Sequence, residues 1–283
     1  MPADPSLVSV VMPVGSVDEL LPQQLATLES QTFEGEWELV LSCNTDDAAA
    51  TAELEGLAND FHACTARMVD SSDVRSASHA RNVGGRAAAG ALIVFCDGDD
   101  EAEPDWVSAI VAATVPGTAV GGHLGEDRLA VEGRDGWRPP ATPGQLPSYL
   151  GHPYLVSANM AVYKADFEAV GGFDESLIRG EDMAISFALA DHGVDLRYEP
   201  TAVIHYRHRK GLKSMLQQHY LCGRGMSQII LRGGLPDGDD GSMFRANSQS
   251  VGRWTLPHVL RKASIAAGRV VGIAEEKLRR SPR

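Results

Sequence analysis

"SASHARNVGGRAAAGALIVFCDGDDE", Ser76 to Glu101, passes from a helical pattern through a short apolar run into a burst of negative charge. Ser76 or Ser78 stands where an N-cap opens a helix. "ALIVFCD", Ala91 to Asp97, has the length and composition of a buried strand. Four carboxylates then fall within five residues, at Asp97, Asp99, Asp100 and Glu101. Held a few ångströms apart they repel one another, so without a cation one or more must have a raised pKa or point into water. Two readings are open: a solvated turn that caps the helix after Pro104, or a metal site.

The same alternation extends toward the start of the chain. "LVSVVMPV" (Leu7 to Val14) is rich in valine and stops at a Pro-Val-Gly turn, which suits a buried parallel strand, and a helix is expected from Val17 to Ser30. "WELVLSC" (Trp37 to Cys43) reads as a second strand. A second helix follows, with Asp46 or Asp47 as its N-cap, and "ARMVD" is a third strand. Strands and helices in alternation predict a doubly wound α/β sheet, mostly parallel. In such a sheet ligands bind beyond the carboxyl ends of the strands, so Asp97 to Asp100 sit at the edge where chemistry is expected. In an extended segment Asp97 and Asp99 share a face while Gly98 leaves room for a ligand. Two carboxylates on one side form a hard-oxygen site suited to Mg²⁺ or Mn²⁺ carried by a phosphate.

Further along, Val115 to Gly151 is rich in Gly and Pro without clear periodicity, and reads as an irregular surface loop able to cover the site as a lid. "GEDMAISFALADHG" places Glu181 and Asp182 on the first turn of a helix, where the dipole favours negative charge. Ordinary first-turn acidity and a catalytic carboxylate are both open there. "TAVIH" reads as a strand ending at His205, which serves as a ligand, a phosphate contact or a strand-end histidine. Arg207, Arg209, Lys210 and Lys213 cluster after it, as a phosphate site or a solvated face.

Composition narrows the class. The chain has 283 residues and net charge −13, but its last 31 residues hold eight basic against two acidic residues, net +6. The first 252 hold 17 against 36, net −19, which argues against nucleic-acid binding by the body. Cys43, Cys64, Cys96 and Cys222 are scattered and form no CxxC pair, so they read as reduced thiols. No apolar run approaches a membrane span and the start lacks the pattern of a signal peptide, so a cytoplasmic location is expected. Leu256 to Arg280 reads as a basic amphipathic helix after the linker "PDGDDGS". Three fates are open to it: docking on the acidic body, pairing between subunits, or resting on the anionic inner face of a membrane.

Four stretches, in order, resemble the family 2 glycosyltransferases of GT-A fold. "VSVVMPV" is similar to their first strand, "SHARNVGGRAAAG" to their Ala-Arg-Asn-x-Gly helix, "VFCDGDD" to the strand ending in the DxD motif, and "SANMAVYKADFEAVGGFDESLIRGED" to the segment ending in a Glu-Asp pair. The resemblance implies a GT-A catalytic part over residues 1–210 and a helical extension over 211–283. It implies a sugar moved from a nucleoside-diphosphate donor, UDP- or GDP-linked, to an acceptor it does not identify. By the same resemblance Asp99, Asp97 and His205 would bind Mn²⁺ or Mg²⁺. Asp182, beside Glu181, would be the general base of an inverting transfer. Pro13, Val14, Gly15, Cys43, Asn44, Asp46, Arg81, Asp97, Gly98, Asn159 and Arg207 would surround the nucleotide sugar. Two positions depart from the family pattern: Gly15 and Ser16 stand where an aromatic residue and Asn are common, and Cys43 stands near a usual carboxylate. They keep open a donor-poor or non-catalytic scaffold. A sugar nucleotidyltransferase would need a basic glycine-rich opening loop, which "VVMPVGSVDELL" is not.

Overall fold

The computed structural model describes residues 7–129, 144–207, 211–233 and 256–280. The first hundred residues fold as β1 (Val8–Val14), α1 (Leu21–Glu29), β2 (Trp37–Cys43), α2 (Ala48–Asn59), β3 (Thr65–Asp70), α3 (Ala77–Ala87) and β4 (Leu92–Cys96). Asp47 caps α2, accepting from the N–H groups of Ala49 and Ala50, and Ser76 caps α3, accepting from that of His79. There follow β5 (Glu101–Ala102), α4 (Trp106–Ala113), β6 (Thr118–Gly125), β7 (Ser148–Tyr149), β8 (His152–Pro153) and β9 (Asn159–Tyr163). The chain continues through α5 (Lys164–Ala169), α6 (Glu181–Asp191), β10 (Asp195–His205), α7 (Leu212–Leu231) and α8 (Leu256–Arg280).

Eight strands make one sheet in the order β3-β2-β1-β4-β9-β6-β10-β5. Contacts among β1, β2, β3 and β4 are parallel, as is that of β6 with β10, while β9 runs antiparallel to β4 and β6, and β5 antiparallel to β10. Both faces are covered, which is why the strands read as continuous apolar runs rather than alternating ones. Val10, Met12, Leu39, Leu41 and Val94 enter a core with Trp106 and Ile110. Val11, Val40, Ile93 and Phe95 enter the opposite one with Phe167, Phe173 and Ile185. The carboxyl ends of β1, β2, β3, β4, β6 and β10 therefore line one edge, and Asn159 opens β9 there, opposite Cys96.

One expected loop is in part a strand. Thr118–Gly125 is β6, inside the sheet, and its glycines weaken the strand pattern in the sequence. The glycines are needed for packing: a Cβ on Gly121 would press on Leu146 and Leu155, and one on Gly122 would collide with the Ala202 carbonyl and Asn159. Residues 130–143, the linker "PDGDDGS", Arg209 and Lys210 lie outside the described residues. The four cysteines are free thiols, with Cys43 and Cys96 buried. No helix among the described residues is long and apolar enough to cross a membrane.

Candidate active site

Where β4 ends, the chain turns so that carboxylate oxygens of Asp97, Asp99 and Asp100 all lie within 4.8 Å of one another. Asp100 is the surprise. Sequence spacing sets it apart from the Asp97–Asp99 face, yet it is 1% exposed and turned into the same cluster. Its Oδ1 accepts the Arg207 N–H at 2.7 Å, while its buried Oδ2 has no hydrogen-bond partner among the described residues. Burial, then the charge of Asp97, pushes its carboxyl up to about 8 against the pull of the Arg207 N–H. A buried, orphaned oxygen beside two other carboxylates is an all-oxygen donor set that fits Mg²⁺ or Mn²⁺.

His205, expected as a metal ligand, is engaged by a neighbouring carboxylate. The pairing of β10 with β5 sets it opposite Glu101, and its Nε2 lies 2.6 Å from Glu103 Oε1. A Cβ on Gly98 would stand 3.2 Å from Leu21 Cδ1, so the glycine lets the loop pack closely on α1 and β1. Arg207 straps the acidic loop from outside. Its Nε donates to the Asp99 carbonyl at 2.9 Å and its Nη2 to Gln23 Oε1 and Glu101 Oε1, each at 3.1 Å.

Arg81, on α3, joins this loop to the Glu-Asp pair. Its Nη2 donates to Asp97 Oδ1 at 2.6 Å, its Nη1 lies 3.7 Å from Glu181 Oε1, and its guanidinium carbon sits 5.7 Å from the centre of the Phe173 ring. Burial opposes its charge, but Asp97, Asp182 and Glu181 outweigh that cost and raise its pKa. Gly180, with φ of +95°, lets the chain enter α6 from a left-handed turn and brings both carboxylates inward on the first turn. Asp182 Oδ1 accepts the Ser157 N–H at 3.2 Å. Burial, then the Glu181 charge, raises its carboxyl to about 6, against Arg81 and the Ser157 N–H. A carboxylate held near that value is ionised at neutral pH and still basic enough to take a proton.

Sequence reasoning missed what holds the loop before α6. The Asn82 carboxamide donates to the Phe173 carbonyl (2.9 Å) and Glu175 Oε1 (2.7 Å), and accepts the Phe173 N–H (2.8 Å). His79, one turn earlier, sits between Glu175 Oε2 and Asp73 Oδ1, both at 2.8 Å. The signal was present as His79 and Asn82, two polar residues three apart and so on one face of the helix. Burial works against the imidazolium, but Glu175 and Asp73 prevail and raise its pKa. A raised histidine contributes stability that is complete below its unfolded value of about 6.5 and vanishes as pH climbs through the folded value. His79→Gln should therefore be less stable than the wild type at pH 6, by about 1–3 kcal/mol, and melt lower, with the gap closing in alkali. Thermal melts of both proteins across pH 5.5 to 9 check this.

Of the residues expected around a nucleotide sugar, Pro13 is half-buried, Val14 is buried, and Gly15 is exposed. Cys43 is buried with its Sγ 3.7 Å from Thr51 Oγ1. Asn44 donates to the Ser71 and Val74 carbonyls and accepts the Ser76 N–H at 2.9 Å, so it staples the end of β2 to the loop before α3. Asp46 pairs with Arg75 at 2.5 Å on the exposed rim. Asn159 lies at the right edge, but its carboxamide is held by Trp106 Nε1, the His123 carbonyl and the Ala202 carbonyl, at 2.9, 3.0 and 2.9 Å. It joins α4, β6 and β10 beneath the site.

The family model described as Glycosyl transferase family 2 matches residues 9–165, more than half of the chain. The chain belongs to this family. Within it, the protein is 29% identical over 226 residues to Validoxylamine A glucosyltransferase of Streptomyces hygroscopicus subsp. limoneus, covering 67% of this chain and 49% of that one. It is 32% identical over 79 residues to Pre-mycofactocin glycosyltransferase of Mycobacterium tuberculosis, covering 28% and 17% respectively. The chain thus spans about half, or less, of the length of these relatives. Among solved structures, Mannosyltransferase PcManGT from Pyrobaculum calidifontis, in complex with GDP-Man and Mn²⁺, superposes with a TM-score of 0.64 at 16% identity over 98% of this chain and 75% of that one. At that identity the likeness shows the fold, which is GT-A.

Proposed function

We propose that this protein is a metal-dependent, inverting glycosyltransferase that moves a sugar from a UDP- or GDP-sugar to an acceptor hydroxyl. One observation carries the reading: buried Arg81 links the Asp97–Asp99–Asp100 cluster to Glu181 and Asp182 at the carboxyl edge of a family 2 sheet. PcManGT, with the same fold, holds GDP-Man and Mn²⁺. In this reading residues 1–210 are the catalytic part and 211–283 the helical extension.

Asp97, Asp99 and Asp100 would hold Mn²⁺ or Mg²⁺, which when bound neutralises charge on a diphosphate leaving group. Asp182 takes the proton of the acceptor hydroxyl as that oxygen attacks the anomeric carbon. Attack from the side opposite the departing diphosphate inverts the anomeric centre. Arg81 keeps Asp97 and Glu181 at fixed separation by pairing with both, and its charge holds Asp182 ionised near neutrality. Arg207, by gripping the Asp99 carbonyl and Asp100, keeps the acidic loop in its turned-in form.

The test is a panel of UDP- and GDP-sugars with Mn²⁺ or Mg²⁺, followed by release of nucleoside diphosphate and by melting temperature. One donor should be hydrolysed slowly to water and should raise the melting temperature only with metal present. If no donor does either, the transferase reading fails.

A further inference from the structure

α8 has two working faces, and the fold accounts for one. Toward α7, glycines replace side chains at the crossing: a Cβ on Gly223 would collide with the Ile265 carbonyl, and one on Gly268 with that of Tyr220. Arg224 pairs with Glu275 at 2.6 Å and Arg232 with Glu276 at 3.2 Å. Both acidic residues of α8 are thereby drawn into the contact with α7.

The opposite face is apolar and open. Leu256, Val259, Val270 and Leu278 are 71%, 42%, 68% and 75% exposed, with exposed Ala263, Ala266, Ala267 and Ala274 between them. They are four of the seven large apolar side chains exposed among the described residues. At about 1.5 Å per residue this stripe runs roughly 33 Å along the helix. Exposed Lys262 and Arg269 follow one border of it, exposed Lys277 stands among its C-terminal residues, and Arg269 also reaches Tyr149.

We propose that α8 lies in the plane of an anionic phospholipid surface, with this stripe in the headgroup boundary and the basic border on the lipid phosphates. An apolar stripe edged by Lys and Arg is the form of an interfacial helix. Charge selects the occupant. Residues 1–252 carry net −19 and are repelled by such a surface, so the +6 of the last 31 residues is what allows approach, through one face only. A second copy fits poorly: two-fold pairing would set Lys262 of each copy near Lys277 of the other, with no acidic residue of α8 on that face to offset them. The proposal goes beyond the donor chemistry and stands independently of it.

Sedimentation of the full chain with vesicles tests it. With about one phosphatidylglycerol in three lipids, at roughly 0.1 M salt, most of the protein should pellet; with phosphatidylcholine alone it should not. A Val259→Ser, Val270→Ser, Leu278→Ser variant should lose binding several-fold while keeping its melting temperature and donor hydrolysis. Lys262→Glu with Lys277→Glu should lose it as well, and wild-type binding should fall with added salt. The proposal is overturned if the wild type stays in the supernatant with the anionic vesicles, or if the serine variant pellets as well as the wild type. It is also overturned if light scattering shows a wild-type dimer that the serine variant dissolves, since the stripe then belongs to a second copy.

Discussion

Asp182→Asn should lose transfer activity by about 10²- to 10⁴-fold in kcat with little change in donor KM, because it removes the proton acceptor and leaves the donor's ligands in place. The substitution is nearly isosteric, and asparagine can keep the oxygen that accepts the Ser157 N–H, so the fold should survive. The wild type should show an acid limb in kcat/KM. The Asp182 carboxyl lies at about 6, raised first by burial and then by Glu181, so activity should climb as pH rises through that region and level off above it. An Arg81→Lys variant sharpens the test. Lysine keeps a positive charge but cannot span Asp97 and Glu181 together, so the acid limb should persist while kcat falls. Initial rates with one donor and acceptor pair across pH 5 to 8 measure all three proteins. Unchanged kcat in Asp182→Asn would remove Asp182 from the chemistry.

How much of this was legible beforehand depended on whether local sequence or tertiary contact decides each feature. Strand β2, helices α6 and α8, and the caps at Asp47 and Ser76 lie where the pattern predicts, because apolar runs and N-cap side chains act within a few residues. β6 was missed because its identity rests on β9 and β10, distant in sequence, closing on both sides of its glycines. The site divides in the same way. Asp97, Asp99, Glu181 and Asp182 were legible from motif and position. That Asp100 joins the cluster depends on the Arg207 N–H, 107 residues away, and the contact of His205 with Glu103 spans 102 residues. Asn44 and Asn159 show what sequence position alone leaves out: a polar residue at this edge also holds loops together.

Removing metal should expose what the acidic cluster costs the fold. The Asp100 carboxyl stands at about 8, far above the ordinary value near 4 of an unfolded chain, so the native state holds a proton there that the unfolded state has released. The native state then binds more protons between those values, and the metal-free protein must lose stability as pH rises from about 4 to 8. A divalent cation competes with that proton and offsets the repulsion among the three aspartates. Addition of Mg²⁺ should therefore raise the melting temperature more at pH 8.5 than at pH 6. Asp100→Asn should behave in the opposite sense to a damaging core substitution. Without metal at pH 8.5 it should melt at or above the wild type, because a buried, unneutralised carboxylate is gone, and its stability should depend less on pH. With Mg²⁺ it should gain little, and Asp99→Ala should likewise gain little while keeping most of the wild-type pH slope, since burial and Asp97 come before Asp99 in raising Asp100. Scanning calorimetry of the three proteins, with and without Mg²⁺ at both pH values, separates these outcomes. If the wild type gains no more from Mg²⁺ at pH 8.5 than Asp100→Asn does, the cluster is a strained turn and the cation belongs elsewhere.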